Sequence, residues 1–322
     1  MILGILIATI AVLLTAAFRY RRRRITRPFE HTYIVITGCD TGFGRLAAEK
    51  FDSLGMQVFA GCLLEKSLGE LKDSCSNKIC PVLLDVTKQD HIDHLLNAVT
   101  REIPDGLGLT GLINNAGILG PCGITESLKS ENFLSTLRVN FFGMVDVTKA
   151  LLPLLRKGKG RIINTSSIGG KYGAQFLATY YASKHAIESY SDSLRRELYH
   201  DDISVHIIEP AGFKTDKLLD PKKIEEDSNK YFRTLPTESQ EFYGIDLLNR
   251  TNAYLRNIKE MFDNKPSKVV DAFQHALTSS HPLLRYKVGK GASMFLAMTY
   301  YLPDWLMDVY HAYEFPTAGT GR

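Results

Sequence analysis

Residues 33–44 of this chain, YIVITGCDTGFG, set the fold. An apolar, β-branched run leads into a glycine-rich turn, and the next residues, RLAAEKFDSLG, have helical character. A strand, a glycine turn and a helix in this order are typical of a dinucleotide-binding sheet. Gly38 permits the tight turn, Gly42 lets the backbone approach a pyrophosphate, and Gly44 lets the helix pack closely on the strand. The helix N-terminus then offers N–H groups to phosphates. The spacing is G-x-x-x-G-x-G, which differs from the general G-x-G-x-x-G fingerprint.

The same alternation of apolar strands and amphipathic helices continues along the chain. Strands are predicted at residues 33–36, 57–62, 79–84, 109–113, 160–164, 203–208 and 284–288. This pattern predicts an α/β fold: a single domain with a Rossmann-type, doubly wound parallel sheet covered by helices on both faces. Turn-forming residues follow four of these strands, at Asp85, 114–117, 166–167 and 210–212. Ligands bind at the carboxyl ends of such strands.

A second motif places a hydroxyl, a phenol and an amine close together. Ser167 is followed after twelve residues by Tyr180-Tyr181-Ala182-Ser183-Lys184. Tyr180 and Lys184 are spaced i,i+4 on a predicted helix and share one face, so the ammonium favours the phenolate. A phenol activated in this way can act as a base near neutral pH, as alcohol and carbonyl oxidoreductases require. Tyr181 and Ser166 are the rivals of Tyr180 and Ser167 for these roles.

With these motifs in place, the chain resembles the short-chain dehydrogenase/reductase superfamily from about residue 31 to about residue 216. The resemblance includes TGCDTGFG, the NNAG of residues 114–117, Asn140, Ser167, Tyr180, Lys184 and the PAG of residues 210–212. It implies that Tyr180 is the general acid/base, that Ser167 binds the substrate oxygen, and that Lys184 holds the nicotinamide ribose and lowers the pKa of the phenol. Asn140 would hold a water that relays the proton.

The resemblance also implies a nicotinamide dinucleotide cofactor. Asp85 would contact the adenine, Asn114 would serve strand packing and the adenosine side, and Thr215 would meet the carboxamide. The implied contacts are Gly38, Asp40, Thr41, Gly42, Phe43, Gly44, Cys62, Asp85, Val86, Asn114, Ala116, Gly117, Tyr180, Lys184, Pro210, Gly212 and Thr215. No metal is expected.

Charge around the second strand favours NAD over NADP. A 2′-phosphate needs a cation, but the positions where related enzymes place one are Thr41 and residues 62–64. Asp40 adds a negative charge nearby. The acidic residue usual at the end of the second strand is replaced by Cys62, so Asp40 or Glu65 is the candidate substitute.

The N-terminus predicts a membrane anchor. Residues 1–18 carry no charged side chain, and the basic linker 19–30 follows, with arginines at 19 and 21–24. A signal peptide would carry its charges before the apolar run. The positive-inside rule then places the catalytic domain, residues 31–290, in the cytosol. We expect a microsomal, endoplasmic reticulum location.

Composition fits one globular domain plus this anchor. The 322-residue chain has a net charge of +4, which falls close to zero without the arginine cluster. The sequence has no basic stripe that would favour nucleic acid. The five cysteines follow no metal-binding spacing, which predicts free thiols in a reducing compartment.

Residues 213–263 are predicted to form helices that cover the substrate, with Leu218, Leu219, Phe232 and Tyr243 as candidates for an apolar pocket. Residues 291–322 are apolar and aromatic, and they suit a membrane interface, a core helix or a dimer contact. The superfamily suggests a homo-oligomer.

Nearly the whole chain resembles the branch of microsomal retinol dehydrogenases and 17-beta/3-alpha-hydroxysteroid dehydrogenases. This implies oxidation or reduction of a lipophilic alcohol or carbonyl. The alternatives are an enzyme like 3-hydroxybutyrate dehydrogenase and a non-catalytic protein that binds a dinucleotide or a lipid at the membrane.

Overall fold

The structure is a computed structural model that describes residue 29 and residues 31–215, 221–258 and 262–314. Seven strands of this part of the chain form one parallel sheet in the order β3-β2-β1-β4-β5-β6-β7. The strands are β1 (Tyr33–Thr37), β2 (Gln57–Cys62), β3 (Ile79–Leu83), β4 (Gly111–Asn114), β5 (Arg161–Thr165), β6 (Ser204–Pro210) and β7 (Arg285–Val288). The strand order reverses between β1 and β4, and this reversal opens a crevice at the carboxyl ends of the strands.

The helices connect these strands and extend beyond the last one. They are α1 (Gly42–Ser53), α2 (Glu65–Ser74), α3 (Gln89–Glu102), α4 (Ser130–Leu137), α5 (Gly143–Gly158), α6 (Ala178–Glu197), α7 (Pro221–Arg233), α8 (Thr237–Ile258), α9 (Ser267–Thr278), α10 (Ala292–Tyr301) and α11 (Asp304–Glu314). A π-helical turn, Arg138–Phe142, joins α4 to α5.

Two hydrophobic cores lie on opposite faces of the sheet. On one face, apolar side chains of α1, α2 and α9 pack on the strands. On the other face, α3, α5 and α6 do the same. Central strands are therefore buried on both faces, which is why they have continuous apolar sequences. The predicted doubly wound α/β sheet in one domain is confirmed.

Predicted and observed strands differ mainly at their ends. The fourth strand was expected at residues 109–113, and β4 begins two residues later. The reason is that the Leu109 N–H donates to the carbonyl of Leu154 at the end of α5, at 2.9 Å, instead of joining the sheet. Pro81 lies inside β3, where it is tolerated because β3 pairs only with β2.

The predicted anchor and most of the basic linker, residues 1–28, lie outside the described residues, as do Leu218 and Leu219. Within the described part of the chain, no helix has the length and apolar character needed to cross a membrane.

The C-terminal region contains α10 and α11, separated by Pro303. Its outer surface carries large aromatic side chains. Tyr300 is 82% exposed, Trp305 65% and Tyr313 89%. On the inner side, Phe295 of α10 packs on Tyr172, with ring centroids 4.5 Å apart.

Candidate active site

The glycine turn after β1 lies against the turn after β4. Gly38 has φ +73°, and a Cβ there would come within 2.8 Å of the Ala116 Cα atom. A Cβ on Gly44 would lie 2.1 Å from the Gly38 carbonyl oxygen. Only glycine fits either position, because any side chain would push α1 off the turn or the two turns apart.

The middle glycine faces a different element. Gly42 has φ +62°, and the closest side chain to a Cβ there would be Thr215, at 3.8 Å. The loop after β6 therefore passes over the N-terminus of α1. The Thr41 side chain does not cap this helix, so the first N–H groups of α1 stay available for an anion. Phe43 packs edge-on against Phe213 of the same loop, at 5.4 Å.

Two residues that the sequence reasoning missed hold these turns together. The Thr37 hydroxyl accepts hydrogen bonds from the backbone N–H groups of Asn115 and Ala116, both at 3.0 Å. The Asn115 amide donates to the carbonyls of Thr37 and Gly38, at 3.1 and 3.3 Å. Their polar character at the ends of two buried strands is the signal that could have identified them.

Asn114 points into the protein interior. Its amide donates to Thr148 of α5 and to Asn164 of β5, both at 2.9 Å, and the residue is 4% exposed. This supports the strand-packing part of its expected role. Gly117 lies beside Asn140, whose Oδ1 atom would be 3.3 Å from a Cβ at that position.

The end of β2 is apolar and anionic. Asp40 caps α2: its carboxylate accepts from the N–H groups of Leu63 and Leu64, at 2.8 and 2.9 Å, and from the Ser67 hydroxyl at 2.9 Å. Cys62 is fully buried, and burial raises the pKa of its thiol to about 12. The Glu65 side chain lies exposed on the first turn of α2.

Asp85 and Val86 follow β3. Partial burial opposes ionisation of Asp85, but hydrogen bonds from the Thr87 hydroxyl and N–H, at 2.7 and 3.0 Å, lower the pKa of its carboxyl. Val86 is buried. It packs against Gly143, where a Cβ would come within 2.6 Å of it.

Ser167 follows β5, and Tyr180 lies in the first turn of α6. Ser167 lies in the loop after β5, where its Oγ atom accepts from the Gly169 N–H at 3.1 Å and donates to the Pro210 carbonyl at 3.3 Å. Burial of the phenol raises the pKa of Tyr180 to about 12, against a lowering influence from Ser167. In this setting burial outweighs any effect of the Lys184 ammonium.

Ser166 and Tyr181 are the alternatives to Ser167 and Tyr180, and they make the following contacts. Ser166 is buried, and its hydroxyl donates to the backbone carbonyl of Lys184 at 3.5 Å. The Tyr181 ring packs on Tyr172 and on Gly169, where a Cβ would come within 2.6 Å of it. The Tyr181 ring also contacts the Tyr180 ring edge-on, with ring centroids 6.0 Å apart.

Lys184 lies one turn after Tyr180 on α6. Its Nζ atom is 5.5 Å from the centre of the Tyr180 ring and donates to the Thr165 carbonyl at 2.9 Å. The residue is 6% exposed. Burial lowers the pKa of Lys184 to about 8, and Glu188 opposes this shift.

Asn140 lies in the π-helical turn and connects two parts of the site. Its Oδ1 atom accepts from the Ile118 N–H, and its Nδ2 atom donates to the Ile118 carbonyl, both at 2.8 Å. The same amide donates to Ser183 of α6 at 2.9 Å. Asn140 therefore fixes the loop after β4 to the helix that carries Tyr180 and Lys184.

The loop after β6 is anchored by the segment that follows α8. Gly212 lies under the Phe262 ring, which a Cβ there would meet at 2.2 Å. The Gly212 carbonyl accepts from the Asp263 N–H at 3.0 Å, and the Lys214 N–H donates to the Asp263 carbonyl at 3.0 Å. The segment after α8 is thus hydrogen-bonded to the loop that follows Pro210.

An apolar cluster lies under α7 and α8. Phe232 is buried there with Leu235 and Leu248, and Tyr243 packs against the group. The Tyr243 hydroxyl donates to Glu126 at 3.0 Å. A small cleft nearby is lined mainly by apolar side chains, including Ile124, Phe176 and Phe232. Of the four residues predicted to line an apolar pocket, Phe232 and Tyr243 lie in or beside this cluster.

This architecture and site belong to a known class. The sequence profile of the family described as short chain dehydrogenase matches residues 32–224, and the chain belongs to that family. Its fold binds NAD(P) nucleotides, and the chain is an oxidoreductase of the kind that acts on CH–OH groups.

Two relatives show to which branch of the family the chain belongs. The chain is 38% identical over 289 residues to retinol dehydrogenase 7 of Rattus norvegicus, covering 90% of each chain. It is equally similar, with the same coverage, to 17-beta-hydroxysteroid dehydrogenase type 6 of Bos taurus. The chain therefore lies in the retinol and hydroxysteroid dehydrogenase branch, as its motifs predicted.

Solved structures share the fold. A short-chain dehydrogenase from Streptomyces avermitilis has a TM-score of 0.65 and 25% identity, covering 88% of this chain and 97% of its own. One from Burkholderia phymatum, solved in complex with NAD, has a TM-score of 0.70 and 22% identity, covering 88% of this chain and 97% of its own. The second comparison concerns the fold alone.

Proposed function

We propose that this protein interconverts a lipophilic alcohol of the retinol or hydroxysteroid class and its carbonyl compound, with NAD as cofactor. The observation that carries the proposal is the placement of Ser167, Tyr180 and Lys184 at the carboxyl ends of the strands. The Ser167 hydroxyl donates to the Pro210 carbonyl at the end of β6, and Lys184 Nζ lies 5.5 Å from the centre of the Tyr180 ring and donates to the Thr165 carbonyl at the end of β5. These three side chains supply an oxygen-binding hydroxyl, a proton acceptor and a cation at the same edge of the sheet.

In the oxidative direction, Tyr180 accepts the hydroxyl proton of the substrate while Ser167 donates a hydrogen bond to the substrate oxygen. A buried phenol with a raised pKa needs nearby positive charge to act as a base. Lys184 supplies part of this charge. Asn140 holds α6 and the loop after β4 in place, and it would hold the water that relays the proton. A bound nicotinamide would supply the hydride acceptor and, in its oxidised form, further positive charge.

The described residues fit a dinucleotide. The cradle is formed by Gly38, Gly42 and Gly44, the uncapped N-terminus of α1, and Thr215 of the covering loop. The other proposed contacts are Asp40, Thr41, Phe43, Cys62, Asp85, Val86, Asn114, Ala116, Gly117, Tyr180, Lys184, Pro210 and Gly212.

NAD is favoured because Thr41 and residues 62–64, the positions where related enzymes place a cation for the 2′-phosphate, carry no positive charge. Asp40 contributes a fixed negative charge there, and Leu63 and Leu64 are exposed apolar residues. The arginine of α1, Arg45, is already held by Glu49 at 2.5 Å and by Glu70 at 3.6 Å. Repulsion by Asp40 disfavours NADP.

Membrane attachment is the second part of the proposal. It rests on the uncharged residues 1–18, the arginines that follow, and the aromatic outer surface of α10 and α11. Aromatic side chains at a bilayer interface are stabilised with one end apolar and the other hydrated. We infer an endoplasmic reticulum membrane protein with a cytosolic catalytic domain, which meets its substrate at the lipid surface.

The membrane proposal can be tested through Trp305, the one tryptophan of the chain. In full-length protein reconstituted in vesicles, lipids brominated near the headgroup should quench its fluorescence and shift the emission to the blue. Unchanged emission in vesicle-bound protein would contradict contact between α11 and the interface, although the N-terminal attachment would stand.

The catalytic proposal is tested with the detergent-solubilised full chain. We expect NADH formation from all-trans-retinol or from a 3-alpha- or 17-beta-hydroxysteroid, and weaker activity with NADP. The control substrate is 3-hydroxybutyrate, and activity with that substrate alone would overturn the lipophilic assignment. Tyr180→Phe should bind NADH normally and lose at least about a hundredfold in kcat, in line with loss of a general acid/base. Turnover near that of the wild type would exclude Tyr180 as the base.

A further inference from the structure

A group of charged side chains, of which Glu188 and Glu209 are buried, lies next to the proposed catalytic pair, on the side away from Tyr180. Glu188 follows Lys184 by four residues on α6, so the two side chains share a face of the helix. Glu188 is 4% exposed. Its Oε2 atom contacts the Arg285 guanidinium of β7 and lies 3.2 Å from Lys171 Nζ. Within the described part of the chain, its Oε1 atom makes no hydrogen bond.

Arg285 brings three carboxylates together. Besides Glu188, it contacts Glu209 of β6 at 3.1 Å and Asp192 of α6 at 2.8 Å. Burying the carboxylates of Glu188 and Glu209 is unfavourable, and a well-packed apolar replacement of a buried ion pair is often as stable or more so. Stability alone is therefore a weak reason for this network, and its position beside Lys184 indicates a role in the site.

The network also contacts the loop that carries Ser167. Lys171 belongs to that loop, and Gly170 packs directly on α6. A Cβ on Gly170 would lie 2.8 Å from the Glu188 Cγ atom and 3.0 Å from the Lys184 carbonyl oxygen. Glu188 thus lies where the Ser167 loop, β7 and the catalytic helix meet.

The Lys184 ammonium needs a nearby negative charge to keep its proton. The hydrogen-bond acceptor of its ammonium, the Thr165 carbonyl, is neutral, and burial favours loss of the proton. Glu188 is the charged group that opposes this effect. An ammonium that loses its proton no longer stabilises a phenolate at Tyr180.

We propose that Glu188, held by Arg285 and Lys171 one helical turn from Lys184, is a positioning residue that keeps the Lys184 ammonium charged beside Tyr180. This inference rests on the proposed function, in which Lys184 supports the base. Glu188 touches neither substrate nor cofactor in this role, because it acts through Lys184.

Several titratable and charged groups face this pair from the surrounding elements. They are Asp192 and Tyr180 on α6, Lys171 and Tyr172 in the loop after β5, Glu209 on β6 and Arg285 on β7. Burial and the Glu188 charge raise the pKa of Glu209, while Arg285 lowers it. Arg285 stays charged throughout the accessible pH range.

The first test is the pH dependence of kcat/KM for alcohol oxidation in Glu188→Gln. We expect the alkaline limb to move to lower pH by at least about half a unit, because a neutral amide no longer supports the ammonium. Glu188→Asp keeps the charge and should restore the wild-type profile. Asp192→Asn is the matched control, since it removes another carboxylate from Arg285 at a position two turns from Lys184, and it should leave this limb in place.

The second test needs no substrate. Competitive labelling of the full-length protein with acetic anhydride, followed by peptide mass spectrometry, measures the pH at which Lys184 becomes a neutral amine. This midpoint should fall in Glu188→Gln and stay unchanged in Asp192→Asn. Lys171→Gln removes a 37% exposed cation that faces Glu188, so it should raise the midpoint without disturbing the core.

The two tests separate two possible failures. A shifted labelling midpoint in a protein that oxidises no alcohol supports the role of Glu188 and refutes the proposed function. An unchanged midpoint in both Glu188→Gln and Lys171→Gln overturns the role of Glu188, whatever the activity. Because Lys171 is at the surface, its variant keeps the inference testable even if Glu188→Gln fails to fold.

Discussion

At the residue scale, the tightest requirement in the proposed cofactor site is at Gly44. A Cβ there would overlap the Gly38 carbonyl oxygen at 2.1 Å. Gly44→Ala should therefore destabilise the protein by about 1–3 kcal/mol, the usual range for overpacking. NADH binding should also weaken, since α1 would move away from the turn. Thermal denaturation and NADH fluorescence titration measure the two effects.

Gly69 is the matched control for this substitution. It lies exposed in the middle of α2, and a Cβ there would meet no atom within 4 Å. Gly69→Ala should raise the free energy of unfolding by about 0.5–1 kcal/mol, because alanine loses less backbone entropy in a helix. Unimpaired NADH binding in Gly44→Ala would contradict the close approach of α1 to the turn.

The sequence predicted which residues gather at the crevice better than it predicted what each one contacts. Gly38, Gly44, Ser167, Tyr180 and Lys184 were located by motif spacing. Spacing along the chain carries no information about desolvation, which raises the pKa of Tyr180 where a lowered one was expected. For the same reason it could not reveal hydrogen bonds across the sheet, such as those of Asn140 with Ile118 and Ser183.

At the scale of elements, α10 and α11 lie over the substrate side through Tyr172. The Phe295 ring of α10 and the His311 ring of α11 both pack on it, at 4.5 and 6.1 Å. The Tyr172 ring also packs on the Tyr181 ring at 5.4 Å, and the Tyr181 ring lies 6.0 Å from the Tyr180 ring. The C-terminal helices therefore shape the surroundings of the proposed base.

Phe295→Ala should weaken this contact. An aromatic pair contributes about 0.5–1.5 kcal/mol, so we expect KM for the lipophilic alcohol to rise about two- to tenfold in detergent solution. The Kd for NADH should stay unchanged, since the glycine turn is at the other end of the crevice. Met294→Ala, on the same helix but 68% exposed, is the control and should leave both constants near the wild-type values.

Strand positions were predicted well because each strand is a short apolar run between turn residues, and burial on both faces leaves few alternatives. The helices after β6 were harder to predict. Their charged sequences, such as KKIEEDSNKYF, have helical periodicity, which indicates a helix. This periodicity does not specify which apolar side chains of different helices pack together. The connection between α8 and α9 pairs with the loop after β6 through Phe213 and Asp263. No pattern in the sequence indicates this pairing.

At the scale of the whole molecule, β6 carries a buried histidine that should make stability depend on pH. His206 is 1% exposed. Its ring nitrogens contact the Leu283 carbonyl at 2.6 Å and the Ser204 hydroxyl at 2.8 Å. Burial lowers the pKa of His206 to about 4, with the Leu283 hydrogen bond opposing the shift. The unfolded chain binds this proton near pH 6.5, so the unfolded state carries more protons between these values.

Stability from His206 is therefore fully present above about pH 6.5 and is lost as the pH falls toward 4, by about 3 kcal/mol at most. Replacing the ring with an uncharged amide in His206→Gln should lower Tm at pH 7 and flatten its decline between pH 7 and 4.5. His200→Gln, at an exposed position, should keep the wild-type slope. An equally steep decline in His206→Gln would show that other groups control acid unfolding, and that protonation between β6 and β7 does not limit the stability of the sheet.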